Sequence, residues 1–512
     1  MKDKKRMKAL DIAAVLEKKK EPKFYMVEAV EQGCSNGDAY ITMDELFFRC
    51  KKLRENLTEN DFRKDLAQQV HEENLCREGN RVYLAKVFRY EESAAENLAA
   101  ILRHPGFQPV ELPDPLVVNG IALFDEQRAA VSVALRNRMT LIVGGAGSGK
   151  STLIRGICDH MEGVRVLCAP TGKAARNLTA RTGIEARTVH SALGRAPDED
   201  FLAPVEWTHV RLLIVDELSM VSLEMLAGIL CRANKNCRIV LLGDDKQLQS
   251  VGVGNVMFDL LALGVPTVRL EANHRQSGTA GGLLQNVVNF KDLGRMRDLV
   301  WDESFVLHTA CEEEAMNALA RDAVCRYQAK ENVLVLAPFK NVVAKLNAMI
   351  REKVNPMFKE KKAITIGGNE FRDGDRVLIT KNDREHDCSN GDVGTLRILD
   401  DSEIHPLYYV VLPDGRKPVW ETDDGLRNMA LAYALTIHKS QGSEYSTVLV
   451  AVFEGMERML SRNLFYTAIS RAQNSVFLYG SLEAVGTAMQ KETPRRKSML
   501  VAKTHMKSCG CA

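Results

Sequence analysis

The sequence predicts an α/β protein with two parallel-sheet domains of similar build, and three observations carry that reading. Between residue 120 and about 275, apolar runs at 139–143, 164–168, 211–215, 238–242 and 267–270 alternate with helical segments. Their near-continuous apolar character suits strands covered on both faces, as in a parallel sheet. A second set at 333–336, 431–435, 447–452 and 476–479 repeats the texture. Between its first two members, residues 366–430 carry the turn pairs Asp373-Gly374, Asn390-Gly391 and Asp414-Gly415, which predict a small β insert.

In chain order, residues 1–27 are a charged lead-in, flexible or helical. The basic start is broken by Asp11, Glu17 and Lys18 before an apolar core can form, so it is not read as a signal peptide. Over 28–104, Leu46, Phe47, Phe48 and Leu53 recur at helical spacing. A second helix opens at Asn60 or Asp61 and ends near Leu75, 81–84 forms a strand, and a helix spans Glu91 to Leu102. Two helices and then a strand pair sketch a winged-helix-like domain. Pro105, Pro109, Pro113 and Pro115 mark a linker over 105–119. The first α/β domain then covers 120–271, the second 272–365 and 431–490 around the insert, and 491–512 is a tail. Arg495, Arg496 and Lys497 there read as solvated charge with weak nucleic-acid contact. Cys509 and Cys511 are not enough for a metal site.

A chain of 512 residues is too long for one core and predicts roughly three domains. With 45% hydrophobic and 27% charged residues and no membrane-span-like stretch, it belongs with soluble globular proteins. A net charge of +2 means that any nucleic-acid binding must come from local patches. The 12 cysteines form no C-x-x-C pair and read as small buried hydrophobes in a reducing cytoplasm.

The strongest single signal is Gly-Gly-Ala-Gly-Ser-Gly-Lys-Ser at 144–151, between a strand and a helix. In that context G-x-x-x-x-G-K-[ST] predicts a polyphosphate cradle: glycines let backbone N–H groups crowd the phosphates, and Lys150 reaches the β/γ oxygens. The Ser151 hydroxyl is placed to hold Mg²⁺, and the helix start that includes Thr152 adds its positive end. Gly145, Ala146, Gly147, Ser148, Gly149, Lys150, Ser151 and Thr152 are therefore the expected nucleotide contacts. The run 212–215 ends in Asp216 and Glu217. At the carboxyl end of a parallel strand, Asp216 is expected in the Mg²⁺ shell and Glu217 is expected to polarise the attacking water. Gln247, past the next strand, is placed to sense the γ-phosphate.

Taken in order, these segments resemble superfamily 1 helicases of the RecD-like, Dda-related branch. Phe124-Asp-Glu-Gln127 is similar to the adenine-reading motif, with Gln127 on the purine. Residues 169–176 and 188–191 resemble the single-strand-binding motifs of the first motor domain, which implies DNA contacts from Pro170, Thr171, Gly172, Lys173, Thr188 and His190. Residues 216–220 match the Walker B form, 243–248 match motif III, and 273–276 resemble motif IV, implying Arg275 at the γ-phosphate. The segment 436–444 is similar to one that touches both ligands, with Thr436, His438 and Ser440 on DNA and Gly442 and Glu444 on nucleotide. Residues 466–472 resemble motif VI, with Arg471 as a second arginine finger. The segments 354–356, 374–377 and 389–394 add to the RecD-like likeness.

The resemblance implies two RecA-like motor domains, a small β-barrel insert in the second, and an N-terminal winged-helix-like domain. It implies an ATP- and Mg²⁺-dependent cytoplasmic DNA helicase that travels 5′ to 3′ on single strands and unwinds duplex in repair or recombination. A strand-separating pin is expected at about 194–211, with Phe201 and Trp207 at its tip or packed beneath it. Two departures stand out: Gln249 replaces the usual proline after Gln-Leu, which implies looser coupling, and Ser470 replaces the commoner threonine. The helix-hairpin-helix array of longer relatives has no counterpart here, so an extra duplex-binding role is not expected. The alternatives are a single-strand translocase with little unwinding, a motor subunit that needs a partner, and, less favoured, an RNA substrate.

Overall fold

The computed structural model describes residues 21–145, 147–194, 200–202, 207–270, 281–383, 385–402, 406–456 and 459–509. Its frame is two parallel sheets. The first has six strands: β1 (Met139–Gly144), β2 (Val164–Ala169), β3 (Ala186–Thr188), β4 (Val210–Val215), β5 (Arg238–Gly243) and β6 (Thr267–Leu270). They lie in the order β6-β1-β5-β4-β2-β3, every pair parallel. All six residues of β1 are buried, as a strand covered by helices on both faces must be.

The second sheet has five: β7 (Phe305–Thr309), β8 (Val333–Ala337), β9 (Leu435–Thr436), β10 (Tyr445–Val452) and β11 (Ala472–Gly480), in the order β7-β11-β10-β8-β9 and again parallel. Between β8 and β9 lies an antiparallel five-stranded sheet formed by 376–379, 393–400, 407–411, 419–420 and 429–431. It closes over its own core of Val377, Leu396, Tyr408, Val410 and Trp420.

Several expectations need correction. The apolar run 431–435 is not one strand: Leu431 ends a strand of the insert sheet, and Leu435 begins β9 of the parallel sheet. An apolar run that crosses from one core to another carries no mark at the crossing. β3 and β7 escaped notice because three residues are too short to show a period, and β7 is an edge strand with exposed His308 and Thr309. The helix at Glu59–His71 starts at its Thr58 cap, and Leu75 opens a strand instead of ending the helix.

The N-terminal region has helices at Pro22–Gly33, Met43–Leu53 and Glu59–His71 and a three-stranded antiparallel sheet of 41–42, 81–84 and 75–78. Its last helix, α1 (Ala85–Leu102), does more than link. Val87, Tyr90, Ala94 and Leu98 join the same core as Leu213 and Val215 of β4, so this region is fused to one face of the first sheet.

The tail is solvated only in part: Arg495 is exposed, whereas Arg496 and Lys497 are half-buried. Residues 500–508 form a helix that packs on α1. Lys503 is 1% exposed and sits between Glu92 at 2.8 Å and Glu91 at 3.3 Å, with the Phe88 ring 3.8 Å away. Arg496 donates to the carbonyl oxygens of Ser250, Gly252 and Gly254 at 2.6–2.9 Å. Basic residues in sequence look exposed; here carboxylates from a distant helix surround Lys503, and backbone carbonyls from a distant turn hold Arg496. Cys509 is exposed, and Cys511 lies outside the described residues. Among the described residues, no helix is long and apolar enough to cross a membrane.

Candidate functional site

The site forms where the carboxyl end of the first sheet faces the amino ends of β10 and β11 in the second. β1 delivers the phosphate loop, which closes on α2 (Lys150–Asp159). Gly147 and Gly149 hold φ of 85° and 79°, a left-handed backbone that favours glycine. Lys150 Nζ donates to the carbonyl oxygens of Gly144 at 2.7 Å and Gly145 at 2.8 Å, folding back over the loop it is expected to serve. The Ser148 hydroxyl donates to Gly145 O at 3.0 Å. Gln127 is buried against this loop: its Oε1 accepts from the Phe124 amide at 3.2 Å and its Nε2 donates to Ser148 O at 3.4 Å. Ser151 and Thr152 stand half-buried in the first turn of α2. Ala146 lies outside the described residues.

At the end of β4, Glu217 takes a left-handed backbone with φ 54°, which costs a side-chain-bearing residue about 1 kcal/mol or more. The turn is held by the Glu217 amide donating to Asp216 Oδ1 at 2.9 Å. Burial pushes both carboxyls above the usual range. The Lys150 charge opposes the rise at Asp216; at Glu217 the Asp216 charge adds to it and Arg471 opposes it. Ser151 and Asp216 line the same cleft, a hydroxyl and a carboxylate. That hard-oxygen pair fits Mg²⁺, which keeps several waters and would relieve the crowding of two acids.

β5 delivers Asp244 and the turn that follows it. Gln247 is 6% exposed; its Nε2 reaches Asp244 Oδ2 only at 3.5 Å, and its Oε1 has no hydrogen-bond partner. A buried amide oxygen left this way is unfavourable by about 1–3 kcal/mol and is suited to a group whose partner arrives with ligand.

The second half meets this turn through α4 (Arg462–Ile469). The Tyr466 hydroxyl donates to Asp244 Oδ2 at 2.7 Å, and a Cβ on Gly145 would lie 3.2 Å from that hydroxyl. The Leu248 amide donates to Thr467 Oγ1 at 3.0 Å, Asn463 Nδ2 to Lys246 O at 2.9 Å, and Gln441 Nε2 to Leu248 O at 3.3 Å. The family resemblance implied Arg471 from this segment but not Tyr466. A tyrosine in an apolar helix looks like core until its hydroxyl is seen on a carboxylate 222 residues away.

Arg471 follows α4 and is 3% exposed. It donates to Thr467 O at 3.0 Å, Ser470 Oγ at 3.2 Å and Ser443 O at 3.4 Å, and lines the cleft with Asp216 and Glu217. Gly442 and Glu444 line it too, but both also reach α3 (Gly172–Thr182): Asn177 Nδ2 donates to Gly442 O at 2.9 Å, and Arg181 pairs with Glu444 at 3.1 Å. Arg275 lies outside the described residues, as do residues 195–199 and 203–206 of the expected pin. Phe201 is 1% exposed and packs on the Tyr90 and His190 rings, a core residue and not a tip. Trp207 bonds to Arg232 O through its amide at 3.0 Å, at the base.

The residues expected on DNA gather at one edge of each sheet, beyond β2, β3 and β9. Thr171 and Thr188 cap the helical turns that follow them, each accepting a backbone amide. Pro170 precedes the first cap, and Lys173 reaches toward the Tyr445 ring at 5.6 Å. His190 and His438 are half-buried, and burial lowers the pKa of both, so they stay neutral near pH 7. Thr436 opens the turn at 437–440, in which the buried Ser440 hydroxyl donates to Ile437 O at 2.7 Å. Gly172 is buried under Ser389 of the insert.

Comparison with known proteins adds three family matches along the chain. Residues 122–293 match the AAA domain, 346–408 match the ATP-dependent RecD-like DNA helicase SH3 domain, and 431–479 match the UvrD-like helicase C-terminal domain. The chain is 32% identical over 438 residues to the ATP-dependent RecD2 DNA helicase of Deinococcus radiodurans, covering 82% of this chain and 58% of that protein. It is 29% identical over 473 residues to the RecBCD enzyme subunit RecD of Mycolicibacterium smegmatis, covering 81% of each. A crystal structure of Pif1 helicase from Bacteroides in complex with ADP-AlF3 and ssDNA aligns with a TM-score of 0.49 at 18% identity, covering 76% of this chain and 98% of that one.

Proposed function

Because this chain belongs to the RecD-like helicase family, we propose that it is an ATP-dependent DNA helicase that moves 5′ to 3′ along a single strand. The observation that carries the proposal is the cleft lined from one side by Ser151, Asp216 and Glu217 and from the other by Arg471. In this reading, the amides of the phosphate loop take the β- and γ-phosphates while Lys150 exchanges its two carbonyl partners for phosphate oxygens. Ser151 and Asp216 would hold Mg²⁺, which would supply positive charge against the phosphates. Glu217 orients the attacking water and accepts its proton, which its raised pKa favours. Arg471 meets the charge that builds on the transferred group, and Gln247 Oε1 gains a partner through the water held beside it. Loss of the γ-phosphate removes what Arg471 holds, so the halves part and close once per turnover while Thr171, Thr188 and Thr436 keep the strand at the two sheet edges.

Work in DNA repair or recombination in the cytoplasm belongs to the same proposal. A second reading, a motor that needs a partner, is favoured by the likeness to a protein named as an enzyme subunit. The test is ATP-driven strand displacement on duplexes with a 5′ tail, a 3′ tail or blunt ends, with Lys150→Ala as control. Unwinding from the 5′ tail alone is the expected result. Unwinding from the 3′ tail would reverse the direction, and DNA-stimulated ATPase without unwinding would move the reading to the partner-dependent motor.

A further inference from the structure

The turn at 389–392 of the insert touches the first half, and the contact is electrostatic. Residues 389–392 form a tight turn: the Ser389 amide donates to Asp392 Oδ2 at 2.9 Å, the Asp392 amide to Ser389 O at 3.0 Å, and Gly391 holds φ of 98°. Gly391 N and Asp392 O are both bonded to Ile379, which fixes the turn to the insert sheet. Across the gap, Arg176 of α3 bonds to the Asp392 carboxylate and donates to Ser389 Oγ at 3.0 Å. Arg416 of the insert faces the same carboxylate from the other side at 3.6 Å. The Asp392 side chain is 6% exposed. Ser389 packs so closely on Gly172 that a Cβ there would run into it, and Gly391 lies beside the Lys173 stem.

An anion caged by two arginines from opposite halves, next to a lysine one helical turn away, is the arrangement a phosphodiester would seek. The cage stands on the segment whose Thr171, Gly172 and Lys173 are expected to meet the single strand. We infer that Arg176, with Lys173 and Arg416, forms a seat for a single-strand phosphate, and that Asp392 occupies it as an internal stand-in until DNA displaces it. This rests on the single-strand reading above and adds a gate to it: the insert is latched over the strand path when DNA is absent, and strand entry unlatches it.

The latch predicts a salt signature. When a phosphate takes Arg176 from Asp392, the released carboxylate recruits a cation as the phosphate gives one up, so the exchange adds little to the salt dependence. Without the carboxylate charge, the same contact releases a counterion, and log K against log salt steepens by about 0.7, the single-strand value per phosphate. Asp392→Asn removes that charge and keeps an oxygen for the Ser389 amide. Binding of a labelled oligothymidylate to the full nucleotide-free chain is the measurement, with thermal melting alongside. Asp392→Asn is expected to bind about five- to tenfold more tightly at low salt, with the steeper slope. In an Arg176→Gln background the gain disappears.

Unchanged or weaker binding by Asp392→Asn, with wild type binding normally, overturns the latch alone. If neither protein binds the single strand, the helicase reading fails and the latch falls with it. Should Asp392→Asn melt early, Ser389→Ala removes only the hydroxyl on Arg176 and is expected to tighten binding about two- to threefold; no tightening there also overturns the latch.

Discussion

The two halves facing the nucleotide cleft are built on the same parallel-sheet plan yet present opposite chemistry. The first half offers groups with unmet demands: a lysine resting on its own loop carbonyls, two acids whose pKa burial raises, and a glutamine oxygen without a partner. Among the described residues, the second half offers Arg471, already bonded to two carbonyls and a hydroxyl of its own domain. The difference teaches where each free-energy term is collected. The first half gains most when nucleotide arrives, so it governs binding. Arg471 gains only when its charge meets something stronger than a carbonyl, so it governs rate.

The sharpest way to break this division is to remove one cation from each side. Lys150→Ala is expected to lower single-strand-stimulated ATP turnover by about a thousandfold or more and to weaken nucleotide binding with it, the fold remaining intact by thermal melting. Turnover retained within tenfold would end the assignment of the phosphate loop. Arg471→Ala is expected to lower kcat about a hundredfold while changing the affinity for a non-hydrolysable ATP analogue less than threefold. Equal losses in both would show that the second half also binds, and the contrast between the halves would collapse.

A smaller effect tests the seam where the halves already touch. Tyr466 donates a buried hydrogen bond to Asp244 and leaves little room for a side chain at Gly145, so one hydroxyl ties α4 to the turn after β5 beside the phosphate loop. Tyr466→Phe deletes that hydroxyl and keeps the ring. Stimulated kcat is expected to fall about five- to tenfold, from a lost charge-assisted bond of about 1.5 kcal/mol, with analogue affinity and melting temperature nearly constant. A drop in melting temperature with unchanged kcat would make the tyrosine part of the packing and nothing more.

What the sequence revealed and what it hid divide by range. The phosphate loop was legible because its demands are local: the glycines at 147 and 149 take left-handed backbone, and the lysine follows at fixed spacing. The strand-end acids and the runs of the first sheet were legible for the same reason, since burial on both faces leaves an uninterrupted apolar signal. The Tyr466–Asp244 bond, the Arg181–Glu444 pair and the Arg176–Asp392 contact join residues more than 200 positions apart, and no spacing encodes them. The tail shows the failure most plainly. Lys503 and Arg496 look like solvated charge until Glu91, Glu92 and the carbonyls of 250–254 are brought around them.

That tail is a third joint between the halves, because the chain leaves the second sheet and returns to α1, and its weakest point is an acid. Asp259 lies under it, 3% exposed, with one carboxylate oxygen lacking a partner. Burial pushes its carboxyl up to about 6; Ser498 and Arg495 pull the other way, and the Glu91 charge adds to the rise. The folded form therefore holds this proton more tightly than the unfolded chain, in which an aspartate titrates near 3.9. Between about pH 4 and pH 6 the native state binds the extra proton, so its stability falls as pH rises through that window and stays lowered above it. Asp259→Asn makes the neutral form permanent. It is expected to raise stability at pH 7 by about 1–3 kcal/mol and to leave it nearly unchanged at pH 4, measured by denaturant unfolding at the two pH values. Equal effects at both would mean that the asparagine acts through packing. A gain confined to pH 7 would place a titrating acid at the joint that ties the rate-governing half back to the binding half.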